Sequence, residues 1–325
     1  SSRPMQRIAD PLTKMNAKIY TTNGFLPLTI EGGNLRAINF DLKIPSAQIK
    51  SGLLLAALNT KGETNITENK ITRDHTEIML ESFGANIEIK KIDNMKIIKI
   101  IGQKELVNNN IDVPNDLSSS SFFIVSTLIN KNSKITLKNI NNNPTRNGII
   151  LALKKMGAKI KLINNRRNNN ENICDIEVIS SDLHGCDLGP EFADLMIDEY
   201  PILSIAASFA KSPSVFRGLK ELRVKESDRI SAVAGNLKAM GADVKETDDG
   251  MVINGGKPLV GANIDSYGDH RIAMAFSVAG LFAEGETVIN NPECIAVSYP
   301  NFETLSSCDL ASPTIMYVML SSFMY

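Results

Sequence analysis

The chain has 325 residues, 43% hydrophobic and 22% charged, with 35 Lys+Arg against 36 Asp+Glu and a formal net charge of −1. That much apolar material excludes a disordered chain, and the charge balance argues against a generally basic nucleic-acid binder. No apolar run approaches the roughly 18 residues of a membrane span, and the length suggests about two domains. Cys174, Cys186, Cys294 and Cys308 are scattered with no CxxC pair, which indicates neither a zinc site nor a disulfide framework. No secretory signal is recognisable, so the expected compartment is the cytoplasm.

In chain order, the first legible feature is Met15-Asn16-Ala17-Lys18-Ile19, an apolar helix end, a residue tolerant of the left-handed conformation, then a strand. Ser46-Ala47-Gln48 opens an apolar helix over Ser51–Leu58, and Gly62–Ile66 returns the chain as a strand. Thr72-Arg73-Asp74-His75 opens a second helix, which ends at Phe83-Gly84-Ala85 and leads into the alternation of Ile87 and Ile89. The succession then recurs. Asp116–Ser121 opens Phe122–Ile129, Asn132–Thr136 is a strand, Pro144-Thr145-Arg146-Asn147 opens a helix, and Met156-Gly157-Ala158 turns into Ile160/Leu162. Asp198-Glu199-Tyr200-Pro201 opens Ile202–Phe209, Ser212–Phe216 is a strand, Lys225–Arg229 opens a helix, and Met240-Gly241-Ala242 turns into Val244. Asp269-His270-Arg271 opens Ile272–Phe282, Gly285–Ile289 is a strand, and Tyr299–Phe302 opens the last helix.

The unit is helix, strand, helix, strand, strand over roughly 70–80 residues, longer than most solenoid repeats, which points to a few units packed around shared helical cores. The first helix of each unit is apolar on nearly every side, as in Leu53–Leu58, so these helices belong inside and the sheets form the outer wall. A boundary near residues 106–112, around Leu106–Asn110, divides the chain into 1–108, with about one and a half repeats, and 109–325, with three. The Asn-rich stretches at 108–110, 139–143 and 164–172 read as surface loops reflecting compositional bias. Because the chain opens on Ser1-Ser2-Arg3-Pro4 and on the back half of a unit, it reads as a fragment.

The chemistry collects at helix starts, whose unpaired N–H groups and partial positive charge make them anion sites. Arg73, Lys225, Arg229 and Arg271 lie at such starts, with Arg3 and Arg7 near the chain start, and Lys225 and Arg229 are i and i+4, which puts them on one helical face. Either a polyanionic substrate, phosphate or carboxylate, or exposed salt-bridge faces would account for this pattern. Asp198 and Glu226 are the acid/base candidates, against plain N-capping for Asp198 and a capping-box or surface role for Glu226. His270 is open to a structural or a functional reading. Walker A, G-x-S-x-G and H-E-x-x-H motifs are absent.

Arg3-Pro4-Met5, Ser46-Ala47-Gln48-Ile49-Lys50-Ser51, Thr72–Glu77, Met196–Pro201, Leu222–Arg229 and Asp269–Met274 together resemble the 5-enolpyruvylshikimate-3-phosphate synthase family (3-phosphoshikimate 1-carboxyvinyltransferases) from residue 3 to about 305. The Ser-Ala-Gln form resembles its bacterial, glyphosate-tolerant class. The resemblance implies an α/β fold, a two-domain inside-out α/β barrel of βαβαββ repeats, here with the first repeat and a half missing. It implies transfer of the enolpyruvyl group of phosphoenolpyruvate to the 5-hydroxyl of shikimate 3-phosphate, releasing phosphate, by a monomer with no metal, cofactor, nucleic acid or membrane partner. Carried over position by position, Ser46, Ala47 and Gln48 cradle shikimate 3-phosphate and Arg73 meets its phosphate. Asp198 holds the shikimate hydroxyls and takes the 5-hydroxyl proton, with Lys225 close to it. Arg229 and Arg271 grip the phosphoenolpyruvate carboxylate, Arg3, Gln48 and Lys225 face its phosphate, and Glu226 shuttles the proton at the methylene carbon.

The family's N-terminal Lys-Ser-x-x-x-Arg motif and Gly-rich phosphoenolpyruvate loop are not found, which implies that this polypeptide alone is inactive or nearly so, or a remnant with residual anion binding. After about Ser306 the family pattern gives way to Ser307–Leu310 and an apolar tail, Ile315–Tyr325, read as an aberrant end. UDP-N-acetylglucosamine enolpyruvyl transferase, the rival with the same fold, uses a loop cysteine that has no counterpart among the four here.

Overall fold

The computed structural model of the chain describes residues 4–93, 95–302 and, in backbone only, 315–318. The chain divides into two compact units. The first, Ser1–Asp112 with Arg167–Glu171, begins with α1 (Gln6–Lys14) and the antiparallel hairpin of β1 (Lys18–Thr22) and β2 (Phe25–Glu31). A full βαβαββ repeat follows: β3 (Asn39–Leu42), α2 (Ala47–Leu58), β4 (Glu63–Glu68), α3 (His75–Ser82), β5 (Asn86–Ile92) and β6 (Met95–Ile101). The crossover through α2 makes β3 and β4 parallel, whereas the tight return from β5 makes β6 antiparallel to both its neighbours, in the order β3-β4-β6-β5. Leu53, Leu54 and Ala57 of α2 form the core with Ile66, Ile98 and Ile100 of the sheet.

One part of this interior is charged. Lys50, Glu68, Glu77 and Lys96 are each at most 1% exposed. Lys50 Nζ lies 3.1 Å from Glu68 and 2.8 Å from Glu77, and Lys96 Nζ lies 2.8 Å from Glu77 and 4.0 Å from Glu68. Two cations and two anions cancel, the condition under which such groups tolerate burial.

The sequence puts the boundary near residues 106–112, with 108 as the last residue of the first part; the units divide after Asp112, and Val107 N donates to Phe83 O while the carbonyls of Asn110 and Asp112 accept from Asn169 and Asn168. Glu171 pairs with His75 Nδ1 in the same unit. The Asn-rich stretch at 164–172 therefore supplies specific hydrogen bonds, contrary to its reading as compositional bias.

The second unit, Val113–Arg166 with Asn172–Tyr325, repeats the pattern. Its first repeat has a short parallel bridge from Asn115 to Ile140, α4 (Leu117–Ile129), β7 (Lys134–Asn141), α5 (Gly148–Lys155), β8 (Lys159–Asn168) and β9 (Glu171–Ile179). The second has β10 (Asp187–Leu188), a short α6 (Ala193–Met196), α7 (Tyr200–Ser208), β11 (Ser214–Phe216), α8 (Arg229–Ala239), β12 (Asp243–Thr247) and β13 (Gly250–Asn254). Its sheet order, β10-β11-β13-β12, is that of β3-β4-β6-β5. The third has β14 (Asn263–Asp265) parallel to β15 (Val288–Asn290) around α9 (His270–Gly280). Tyr299 and Phe302, at the expected last helix start, pack on Phe123. β16 (Ile315–Val318) lies parallel to β7.

The inner helices α4, α7 and α9 pack on one another, and of Leu117–Leu128 only Ser119 is not fully buried. Several of their hydroxyls are satisfied within the helix: Ser120 donates to Asp116 O, Ser204 to Tyr200 O and Ser277 to Ala273 O. Ser126 Oγ of α4 is an exception, buried without a partner. The left-handed turns are where the repeat pattern puts them, at Asn16 (φ 73°), Gly84 (74°), Gly157 (88°) and Gly241 (83°). Among the described residues no helix is long and apolar enough to cross a membrane.

Lys225 and Arg229 do not share a helical face. Asp228 caps α8 by accepting from Ser231 N at 3.1 Å, so the helix begins at Arg229, and Lys225 ends a preceding 3-10 turn in extended conformation. Arg3, Cys308 and the apolar tail's expected aberrant side chains lie outside the described residues.

Candidate active site

The expected site residues fall into one group in each unit. In the first unit, Ser46 is the N-cap of α2, with Oγ accepting from Ile49 N at 3.4 Å, and Ala47 and Gln48 are its first helical residues. The N–H groups of this first turn have no intrahelical acceptors, and Gln48 is exposed. Arg73 lies in the loop before α3, half-buried. The two helix starts are tied together where Ser51 Oγ and Thr76 Oγ1 meet at 2.6 Å. The buried charges described above stand behind them: Lys50 is one turn into α2, and Thr72 and Asp74, on either side of Arg73, reach Glu68 and Lys96.

In the second unit, Asp198 occupies a 3-10 turn ahead of α7, and it is Glu199, with no side-chain cap bond, that precedes the helix. The capping reading of Asp198 is thereby excluded. Its Oδ1 instead receives Lys225 Nζ at 3.3 Å and Arg229 Nη1 at 3.2 Å. Glu226 Oε2 accepts from Arg229 Nη2 at 2.7 Å, so the two candidate carboxylates are joined through one guanidinium. Arg271 Nη1 donates to the carbonyl of Asp198 at 3.3 Å. The structure thus brings Asp198, Lys225, Glu226, Arg229 and Arg271 together.

Arg229 differs from the exposed clamp expected of it. Its side chain is 1% exposed, and besides Asp198 and Glu226 it donates to Asp269 from Nε (2.8 Å) and Nη2 (3.3 Å). Burial opposes its charge, but the hydrogen bonds and charge of Asp269, with Glu226 and Asp198, hold the guanidinium above its ordinary value. Asp269 is the reciprocal case: burial opposes ionisation, and Arg229, the Arg271 N–H and Ser227 Oγ hold the carboxyl below the usual range. Asp269 also caps α9 by accepting from Arg271 N at 2.9 Å. His270 is pushed down by burial and by Arg271, which favours a neutral imidazole.

Asp269 carried no role in the sequence reading, although it stands in the Asp269-His270-Arg271 signature. Two further residues were missed. Glu199 is a buried carboxylate beside Asp198, and Arg146 reaches it from the start of α5. The basic residue at the equivalent helix start was the signal for Arg146; a lone Glu next to a candidate base carried none.

An inside-out arrangement of βαβαββ repeats, with cations and carboxylates gathered at inner-helix starts, is that of the enolpyruvyl transferases. A solved enolpyruvyl transferase, NikO from Streptomyces tendae, has the same fold with a TM-score of 0.72 at 17% identity over 94% of this chain and 70% of that one. Residues 1–305 match the EPSP synthase (3-phosphoshikimate 1-carboxyvinyltransferase) family, and the chain belongs to it. The 3-phosphoshikimate 1-carboxyvinyltransferases of Thermoanaerobacter sp. (strain X514) and Carboxydothermus hydrogenoformans are 46% and 45% identical, each match covering 92% of this chain and 70% of the relative. EPSP synthase of Acinetobacter baumannii superimposes with a TM-score of 0.85 at 45% identity, over 94% of this chain and 70% of that one.

Proposed function

We propose that the chain carries the residues for transfer of the enolpyruvyl group of phosphoenolpyruvate to the 5-hydroxyl of shikimate 3-phosphate, giving 5-enolpyruvylshikimate 3-phosphate and phosphate in aromatic amino-acid biosynthesis, with little turnover expected of this polypeptide alone. The observation that carries this reading beyond family membership is the joining of Asp198 and Glu226 through Arg229, with Lys225 on Asp198. Addition and elimination need two proton-transfer groups held apart in role yet close in space. Asp198 takes the 5-hydroxyl proton as that oxygen bonds to C2 of phosphoenolpyruvate, while Glu226 delivers a proton to the methylene carbon. Glu226 then removes a proton from the resulting methyl group as the C2–phosphate bond breaks, and phosphate leaves.

Shikimate 3-phosphate lies against Ser46, Ala47 and Gln48, with Arg73 on its phosphate, and Asp198 on its hydroxyls. Arg271 takes the phosphoenolpyruvate carboxylate, with Lys225, Gln48 and Arg3 toward the phosphate. Arg229 joins Arg271 only by exchanging one of its carboxylate partners for that of the substrate. This exchange releases Glu226 when phosphoenolpyruvate arrives, and so couples binding to freeing the proton shuttle. The same reading makes the protein a cytoplasmic monomer.

Phosphate release from the two substrates by the purified chain, measured beside calorimetry with shikimate 3-phosphate, is the test. Release that Asp198→Ala removes supports the reading. Absence of both release and shikimate 3-phosphate binding would overturn it and leave a non-catalytic member of the family.

A further inference from the structure

Glu199 is an acid with no part in the chemistry just described, and it sits where three helices of the second unit meet. Its side chain is 2% exposed. Ser118 Oγ, in the first turn of α4, donates to its Oε1. Arg271 Nη1, in the first turn of α9, lies 4.0 Å from the same oxygen, and Arg146 Nη2, ahead of α5, lies 3.9 Å from it. Glu199 itself is the residue preceding α7. One hydroxyl and two guanidinia thus converge on a single buried carboxylate, and two cations brought this close together need a counter-charge to be stable. Ser118 is shared: it also accepts from Arg146 Nη2, so the position of Arg146 is fixed to Glu199 both directly and through the hydroxyl. Burial pushes the Glu199 carboxyl up, a shift that Arg271, Arg146 and the Ser118 hydroxyl only partly offset.

We propose that Glu199 is a positioning residue that holds the guanidinium of Arg271, with Arg146 beside it, in the orientation that receives an anionic carboxylate. The proposal rests on the assignment of Arg271 to phosphoenolpyruvate made above. Arg271 has two ties from the same turn of chain, the carbonyl of Asp198 and the carboxylate of Glu199. The carbonyl restrains one N–H, and the carboxylate supplies the charge that keeps the guanidinium from swinging toward solvent. A displacement of ~1 Å in such a group is enough to weaken a binding or reacting geometry markedly.

The test compares the full chain with Glu199→Gln and Arg271→Ala by crystallography and by calorimetry with phosphoenolpyruvate and, separately, shikimate 3-phosphate. Gln keeps the volume and the bond to Ser118 but removes the charge. The expected result is a chain that still folds with a lowered urea midpoint, an Arg271 guanidinium moved by ~1 Å or more, and phosphoenolpyruvate affinity lowered roughly tenfold with shikimate 3-phosphate affinity unchanged. A Glu199 that merely filled space would be rescued by Gln, so Arg271 standing in its wild-type position in Glu199→Gln overturns the proposal. If Glu199→Gln does not fold, Ser118→Ala replaces it, since it frees the carboxylate to turn, and an unmoved Arg271 there has the same force. Arg271→Ala with undiminished phosphoenolpyruvate affinity would instead sink the assignment of Arg271, while the crystallographic comparison still decides the role of Glu199.

Discussion

Arg229 Nε donates to Asp269 Oδ2 at 2.8 Å, and both side chains are withdrawn from solvent. This pair joins the first turn of α8 to the cap of α9, and through it two repeats of the second unit share one hydrogen-bonded network. Breaking a buried ion pair from one side leaves the other charge stranded, so Asp269→Asn is expected to lower stability by about 3–5 kcal/mol in urea unfolding. A loss under ~1 kcal/mol would mean that Glu226 and Asp198 alone neutralise Arg229.

The pH dependence follows from the same carboxyl. Asp269 is held below the usual carboxylate range in the folded chain. Its contribution is therefore fully present above the unfolded value of about 3.9 and is lost as pH falls through the depressed folded value. The stability gap between wild type and Asp269→Asn should be flat from neutral pH down to about pH 5 and close only below about pH 4. A gap that closed nearer pH 6 would assign the titration to another group.

The charged interior of the first unit gives a second energetic prediction. Lys50→Met leaves Glu68 and Glu77 with Lys96 as their shared cation, and a net negative charge in a dry site, at a cost of about 3–5 kcal/mol. Adding Glu77→Gln restores neutrality, and the double variant should recover most of that loss, because neutral replacements of buried ion pairs often cost little. A double variant no more stable than Lys50→Met would show that the hydrogen-bond geometry, rather than charge balance, holds these four side chains.

The repeat turns were legible because their requirement is local. Asn16, Gly84, Gly157 and Gly241 all take positive φ, and a small residue after an apolar helix end records that demand directly. A Cβ at Gly157 would lie 3.1 Å from the ring of His184 as well as sitting at φ +88°, so Gly157→Ala should cost ~1 kcal/mol or more. At Asn16 the residue already carries a Cβ at φ 73°, and Asn16→Gly should be neutral or stabilising by a few tenths of a kcal/mol. Gly157→Ala as stable as wild type, or Asn16→Gly losing ~1 kcal/mol, in thermal unfolding would refute the equivalence of the turns.

Long-range partners were less legible. Helix starts, inner helices and the helix–strand succession follow from apolar patterning and caps, which read out over a few residues. Lys225 shows the limit: its spacing from Arg229 suggested one helical face, but Asp228 takes the cap and α8 starts only at Arg229, leaving Lys225 outside the helix. The two cations still converge, on Asp198, because within the same repeat the chain returns from α7 through β11 to bring the start of α8 beside the turn ahead of α7. Glu199 and Lys50 escaped notice for the same reason. Each is an ordinary charged residue until burial, set by distant segments, makes its pairing obligatory.

That convergence on Asp198 separates catalysis from binding. With Lys225 at 3.3 Å and Arg229 at 3.2 Å, its Oδ1 is held by two cations and remains an acceptor, the state a base for the 5-hydroxyl requires. In the proposed assignment, removing the carboxylate takes away proton abstraction but leaves Ser46, Gln48 and Arg73 to bind shikimate 3-phosphate. Asp198→Ala should therefore lower turnover by roughly 10²–10⁴-fold, with the affinity for shikimate 3-phosphate changed far less. Asp198→Asn keeps the shape and can still accept from Lys225 through its amide oxygen, yet it cannot take the proton, so it should be as inactive as Ala. Phosphate release near the wild-type rate in Asp198→Asn would move the base elsewhere, and Glu226, tied to the same Arg229, would be the residue to examine next.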